Sequence, residues 1–267
     1  KSIPLTAFWV ADTAQRFPEI VREMESAGHE TGTHSLYHET VGDSLFEIPG
    51  TYPLLPEEVQ PRIKLATDIL EDIVGHKVVS WRCPRLFGGT HVTNALEALG
   101  YECDATYPMY FYNEQLFPYH PSQENWTEQG SLNLIEIIQF ADMGMESKDD
   151  YGRDKDQWPL YRTQSTEAFI PHIESFMSYL EKNDQSQKPI VLCFYFHPWE
   201  FWEMPEGVIH YGEGGVMPDP FLTKGCGKYC LNQVELLIDW LKSKEASFLT
   251  AGQCARKWHE ILALQEI

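Results

Sequence analysis

The chain has 267 residues, 43% of them hydrophobic and 13% aromatic, which is enough for a packed core in one large domain or two small ones. Forty acidic residues against 20 basic ones give a formal charge of -20, which repels phosphate backbones and anionic lipid and argues against nucleic acid or a membrane surface as partner. The charge lies in short runs such as Glu57-Glu58 and Asp149-Asp150, the pattern of a solvated surface. No window of about 18 apolar residues is present, so no membrane span is expected, and the compartment, cytoplasmic or extracellular, is not legible.

In chain order, residues 4–10 are rich in β-branched and aromatic side chains and predict a buried strand. Pro18 suits a first helical turn, Ile20, Val21, Met24 and Ala27 form one apolar face, and Gly28 is the stop signal. Residues 30–34 predict the next strand. Residues 39–55 contain Gly42, Pro49, Gly50 and Pro53 and read as loop, after which Val59, Ile63, Ala66, Leu70 and Ile73 recur at helical spacing as far as Gly75. Strands are predicted over 77–81, 101–106 and 132–140, with a helix over Thr90–Leu99. Phe169, Ile173, Phe176 and Leu180 mark a helix entered near Ser165. Residues 189–197 are the most continuous apolar run and predict a central strand buried on both faces. Leu231, Val234, Leu237, Ile238 and Leu241 mark another helix, 247–250 a short strand and 251–264 the terminal helix.

This alternation predicts an α/β fold with a mainly parallel sheet or barrel, as a single domain over 1–267. Long irregular stretches at 39–55, 107–131, 141–164 and 198–226 each follow a predicted strand, which in a parallel barrel gathers them at the carboxyl face. Their aromatics, among them Tyr107, Tyr112, Tyr119, Trp126, Trp158, Trp199, Phe201 and Trp202, suit either the walls of a sugar-stacking groove or small cores of the loops themselves. Of the six cysteines, Cys83, Cys103 and Cys193 fall in strand-like segments where a free thiol packs, and Cys226 and Cys230 are the first pair to consider for a disulfide.

The chemistry centres on Glu30-Thr31-Gly32-Thr33-His34-Ser35-Leu36-Tyr37-His38-Glu39. Two imidazoles four residues apart can share one divalent cation, and imidazole nitrogen suits zinc and its neighbours, so the stretch reads as half of a metal site. Further along come Trp81-Arg82-Cys83-Pro84, then Tyr101-Glu102-Cys103-Asp104, then Phe196-His197-Pro198-Trp199-Glu200, each at a strand end. In this order and spacing the four signatures resemble the NodB-homology polysaccharide deacetylase family, closely over residues 3–106 and again at 190–200 and the terminal helix.

The resemblance implies a distorted (β/α) barrel that hydrolyses amide carbon–nitrogen bonds, most often of N-acetylated amino sugars, with a divalent metal, zinc being the one expected. By match, His34 and His38 are metal ligands, His197 is the general acid and Arg82 orients a catalytic aspartate. Pro84, Arg85 and Trp199 are candidate contacts to a small-molecule or oligosaccharide substrate. Cys83 and Arg85 depart from the family's commonest Arg-Ala-Pro-Tyr or Arg-Ala-Pro-Trp form, which is expected to alter the floor of the site. Asp104 matches a Tyr-x-x-Asp pattern and is read as structural.

The family's first strand, ending in the Asp-Asp pair that supplies the base and the third ligand, has no counterpart here, and Asp149-Asp150 is no substitute in its loop. We expect those carboxylates, and the first strand of the barrel, from residues before Lys1 or from another chain. Two alternatives stay open: an allantoinase-like hydrolase of cyclic amides or ureides, and a non-catalytic carbohydrate-binding relative.

Overall fold

The computed structural model describes residues 2–205, 207–212 and 214–264. In chain order its elements are β1 (Thr6–Trp9), α1 (Ala11–Arg16), α2 (Pro18–Ser26), β2 (Glu30–Thr33), α3 (Pro56–Val74), β3 (Ser80–Trp81), α4 (Thr90–Leu99), β4 (Cys103–Asp104), α5 (Met109–Tyr112), β5 (Ile135–Glu136), α6 (Leu160–Thr163), α7 (Thr166–Asn183), β6 (Ile209–Tyr211), β7 (Gly214–Val216), α8 (Pro220–Thr223), α9 (Lys228–Ser243) and α10 (Ala251–Ala263). They fall into two compact units. A sheet unit comprises Ser2–Phe140, Lys188–Cys193 and the segment from Phe248, and a helical unit comprises Ala141–Gln187 and Phe194–Ser247.

In the sheet unit five parallel strands lie in the order β1-β2-β3-β4-β5, so sequential strands are neighbours and every crossover has the same sense of progression. This is the α/β class that the alternating pattern predicts. The strands are shorter than the apolar runs that announce them: 77–81 yields only Ser80–Trp81, and 132–140 only Ile135–Glu136. Apolar side chains of α3 and α4 close over β3. Val59, Ile63, Val92, Leu96, Trp81, Tyr101 and Leu134 form one cluster, and Ala11, Val21, Leu36, Ala66, Leu70 and Val78 form a second. Gly75 and Gly100 end α3 and α4 in the left-handed conformation, the stop signal their positions predict. The Tyr101 hydroxyl joins Thr33 Oγ1 at 2.8 Å and Thr67 Oγ1 at 2.6 Å, tying β2 to α3 inside this core.

Residues 189–197 do not form the central strand that their apolar character predicts. Residues 190–197 are half-buried rather than buried, Pro189 is exposed, and Cys193 O accepts a backbone bond from Phe140 N at 3.0 Å. The five-stranded sheet runs from β1 to β5 without it, so the run is an extended connection and not the middle of that sheet. Apolar character alone does not distinguish a ladder strand from an extended connection. Residues 247–250 likewise form no strand, and Thr250 instead caps α10. In the helical unit α6, α7 and α9 pack through Tyr161, Phe169, Ile173, Phe176, Leu180, Leu237 and Leu241. The antiparallel pair β6 and β7 falls in the stretch 198–226 read as loop, where exposed glycines hide the pattern. Among the described residues no helix is long and apolar enough to cross a membrane.

The amino end of α10 is where the sheet unit closes on itself. Thr250 and Gln253 form a reciprocal capping box, Ala251 N–H donates to Thr6 Oγ1 at 2.7 Å and Gly252 N–H to Glu30 Oε2 at 3.0 Å. Glu30 also accepts from the Ser80 and Thr6 hydroxyls, so one carboxylate joins β1, β2, β3 and the helix. A Cβ at Gly252 would lie 2.8 Å from Glu30 Oε1, which is why the smallest residue stands there. Glu30→Ala strands these donors and removes the charge facing the helix dipole. It is expected to cost about 1–3 kcal/mol in urea unfolding, and a change within about 0.5 kcal/mol contradicts the assignment.

Candidate active site

The parallel ladder fixes the first part of the site. His34 N–H donates to Trp9 O at 2.8 Å and Arg82 N–H to Thr33 O at 3.1 Å, which brings the first residue after β2 beside the first residue after β3. His34 Nδ1 then lies 2.8 Å from the Arg82 carbonyl oxygen. A carbonyl only accepts, so Nδ1 carries the proton and the lone pair is on Nε2, the usual arrangement of a metal-ligating histidine. His38 follows on an exposed turn, its ring centroid 5.0 Å from that of His34 at 65°. The turn is held in unusual backbone: Ser35 and His38 have φ of 65° and 62°, and across from them Arg85 and Leu86 have φ of 62° and 60°. Left-handed non-glycine residues each cost on the order of 1 kcal/mol and gather where function over-determines the backbone.

Arg85 Nη1 donates to His38 O and to Thr40 Oγ1, both at 3.2 Å, so this side chain locks the histidine turn. Pro84 is buried and opens the tight turn that aims Arg85 there. Arg82 Nε donates to Ala105 O at 2.8 Å and Nη2 to Cys193 Sγ at 3.3 Å, with the guanidinium 4.6 Å over the Phe8 ring. Cys83 does not form the floor of a site: it is fully buried, and its sulfur accepts from Trp81 Nε1 at 3.1 Å.

Two imidazoles at this spacing, with the His34 lone pair on Nε2, fit a divalent ion as far as they go. Among the described residues, no histidine, cysteine, aspartate or glutamate joins them to make a group of three. Glu39, the nearest acid in sequence, accepts from Tyr37 N at 2.6 Å and faces Arg62 at 3.7 Å. Asp149, in its loop, pairs with Arg153 at 2.6 Å, which holds its carboxyl near 2.

Behind the Arg82 segment lies a buried acid pair. Asp104 and Glu136 sit opposite each other on β4 and β5 and are fully inaccessible. Glu136 Oε1 accepts from Thr106 N at 3.1 Å and Tyr107 N at 2.7 Å, while Thr106 Oγ1 donates to Asp104 and accepts from Cys83 N. Asp104 Oδ2 and Glu136 Oε2 are buried without a hydrogen-bond partner, and two neighbouring carboxyls so placed resist ionising together. Burial pushes Asp104 up to about 7 and Glu136 well above the usual range. Asp104 is thus closed off from solvent at the end of β4. Its partner is betrayed in the sequence only by being the lone charge in the run Leu132-Asn133-Leu134-Ile135-Glu136-Ile137-Ile138.

His197 and Trp199 belong to the helical unit, whereas His34, His38, Arg82, Pro84 and Arg85 belong to the sheet unit. The His197 ring stacks on Trp199 at 5.5 Å and 22°, and meets Trp158 edge-on at 5.3 Å and Tyr195 at 5.8 Å. The loop aromatics divide accordingly. Tyr107, Tyr119 and Trp126 are buried in a core of the 107–131 loop, whereas Trp158 and Trp199 surround a histidine and Trp202 is open to solvent. All six cysteines are free, Cys226 and Cys230 included.

The acid pair makes stability depend on pH in a stated direction. Its native affinity for the proton exceeds that of the unfolded chain, so its contribution is full below about 4 and is lost as pH rises toward and through about 7. Urea midpoints are expected to fall over that interval by the equivalent of a few kcal/mol, and Asp104→Asn, which leaves one buried carboxyl in place of two, should flatten the slope. An equal slope in both proteins contradicts this role of the pair.

Residues 1–103 match the family model described as polysaccharide deacetylase. No curated protein matches in sequence. Among solved structures, the Puue allantoinase is 18% identical over 97% of this chain and 68% of its own, with a TM-score of 0.55. A probable polysaccharide deacetylase from Pseudomonas aeruginosa PAO1 is 18% identical over the same shares, with a TM-score of 0.54. At that identity the likeness is one of fold, a NodB-type α/β arrangement. The matched residues include the whole His34 to Arg85 constellation. Residues 1–103 are thus similar to the polysaccharide deacetylase family, and the α/β fold that carries them is the type seen in the solved polysaccharide deacetylase.

Proposed function

We propose that residues 1–267 serve as one catalytic domain, a zinc-dependent amidohydrolase that removes the acyl group from an N-acylated amino sugar or its oligomer. The observation that carries this reading is the His34–His38 pair, with the Arg82 carbonyl fixing the His34 tautomer. His34 Nε2 and the His38 ring would hold the ion. When bound, it would supply Lewis acidity toward the acyl oxygen and a more acidic water. The reading needs a carboxylate that the described residues do not bring to the two histidines, both as third ligand and as base.

The chain's own residues do the rest. Arg85 holds the His38 turn against the cost of its backbone, and Arg82 orients both His34, through its carbonyl, and the catalytic carboxylate. His197 gives a proton to the departing amine, a task suited to a group that titrates near neutral pH. Trp199 offers an aromatic face to a sugar ring.

His34→Ala and His38→Ala are each expected to lose bound zinc and to lower kcat/KM on N-acetylglucosamine oligomers by about 1,000-fold or more, the scale of several kcal/mol of lost Lewis-acid stabilisation. Chelation should reproduce the loss and zinc reverse it. Turnover of allantoin in place of the sugar would move the substrate to the cyclic ureides. Sugar binding without hydrolysis, indifferent to chelation, would contradict the enzymatic reading.

A further inference from the structure

We propose that Glu200, anchored by Arg162, is the positioning residue of His197. The catalytic part of this inference rests on the reading of His197 as the acid. Glu200 is completely buried beside a histidine whose side chain is 43% exposed. Its Oε1 accepts from His197 N–H at 2.8 Å, from His197 Nδ1 at 3.2 Å and from Trp158 Nε1 at 3.2 Å. Its Oε2 accepts from Tyr161 OH at 2.6 Å and Arg162 Nε at 3.1 Å. Burial alone would raise the carboxyl's affinity for a proton, but the bonds from His197, Tyr161 and Trp158 outweigh it and hold Glu200 below its ordinary value, as an anion.

An anionic carboxylate only accepts, so the His197 proton is on Nδ1 and Nε2 is the atom that exchanges a proton with whatever lies outside. The Pro198 turn makes this geometry local: His197 and Glu200 stand three apart at the two ends of a reciprocal cap, so backbone and ring are gripped by one side chain. Arg162 completes the anchor. It is fully buried, donates to Lys224 O at 2.6 Å and Phe221 O at 3.1 Å, and lies 5.4 Å over Trp199, the ring on which His197 stacks. A buried Arg–Glu pair is a poor way to gain stability, since a well-packed apolar pair does as well or better. What this pair does that apolar residues cannot is fix the direction and tautomer of the imidazole.

The first test is the wild-type protein in its metal-loaded form. Ring 15N shifts of neutral His197 are expected to show Nδ1 protonated and Nε2 bare, and the opposite tautomer overturns the proposal. The second is Arg162→Met/Glu200→Met, which removes the buried charges together. In the folded variant the single tautomer should give way to a mixture, and kcat on N-acetylglucosamine oligomers should fall about 10- to 100-fold with KM within about two-fold. Arg162→Met/Glu200→Gln, which returns an acceptor oxygen, should recover most of the tautomer preference. An unchanged tautomer and kcat in the folded Met/Met protein overturn the proposal. The tautomer is read without activity, so full activity in His197→Ala would fail the acid role alone, leaving Glu200's hold on the ring to be judged by the 15N shifts.

Discussion

The hydrogen bond from His34 Nδ1 to the Arg82 carbonyl depends on two parallel strands ending in register, and the rest of the site depends on that bond. Because β2 and β3 terminate side by side, the residue that presents a nitrogen lone pair and the residue that fixes its tautomer are adjacent in space though 48 apart in sequence. The strand behind them continues the arrangement. β4 ends at Asp104, whose neighbours Ala105 and Thr106 accept from Arg82 Nε and Cys83 N, so the Arg82 segment is held from both sides.

Each unit spends burial on charge. In the sheet unit two carboxyls are buried opposite each other behind the Arg82 segment, and in the helical unit Arg162 and Glu200 pair out of contact with water. Neither is explained by stability, since desolvation opposes both. Both are explained by direction. The acid pair binds the amides of Thr106 and Tyr107 at the end of β4, and the ion pair binds the backbone and ring of His197. Strained backbone at Ser35, His38 and Arg85 belongs to the same pattern: local cost accepted where a side chain has to point one way.

Much of this is legible in the sequence. Gly75 and Gly100 announce the helix ends, the alternation of apolar patterns announces a parallel α/β unit, and the His-x-x-x-His spacing with Arg82 announces the paired histidines. The rest was hidden for identifiable reasons. Residues 189–197 look like a central strand because an apolar extended run has the same composition whether or not it is laddered. Glu136 and Glu200 carry no motif of their own, and their importance comes from what burial does to a charge. Glu200 left one local trace, an acid three residues after the turn-opening His197-Pro198, the spacing of a cap. The aromatic loops were ambiguous because a loop core and a stacking wall draw on the same residues, and burial alone separates Tyr107 and Trp126 from Trp199 and Trp202.

The central claim is that His34 and His38 together hold a divalent ion, and X-ray absorption at the zinc edge of the loaded protein tests it most directly. The account predicts imidazole scattering from two histidines at about 2.0–2.1 Å, with oxygen making up the remaining ligands, and loss of one imidazole in His38→Ala. A zinc ion with no histidine in its shell, or a protein that retains no divalent metal, would contradict it.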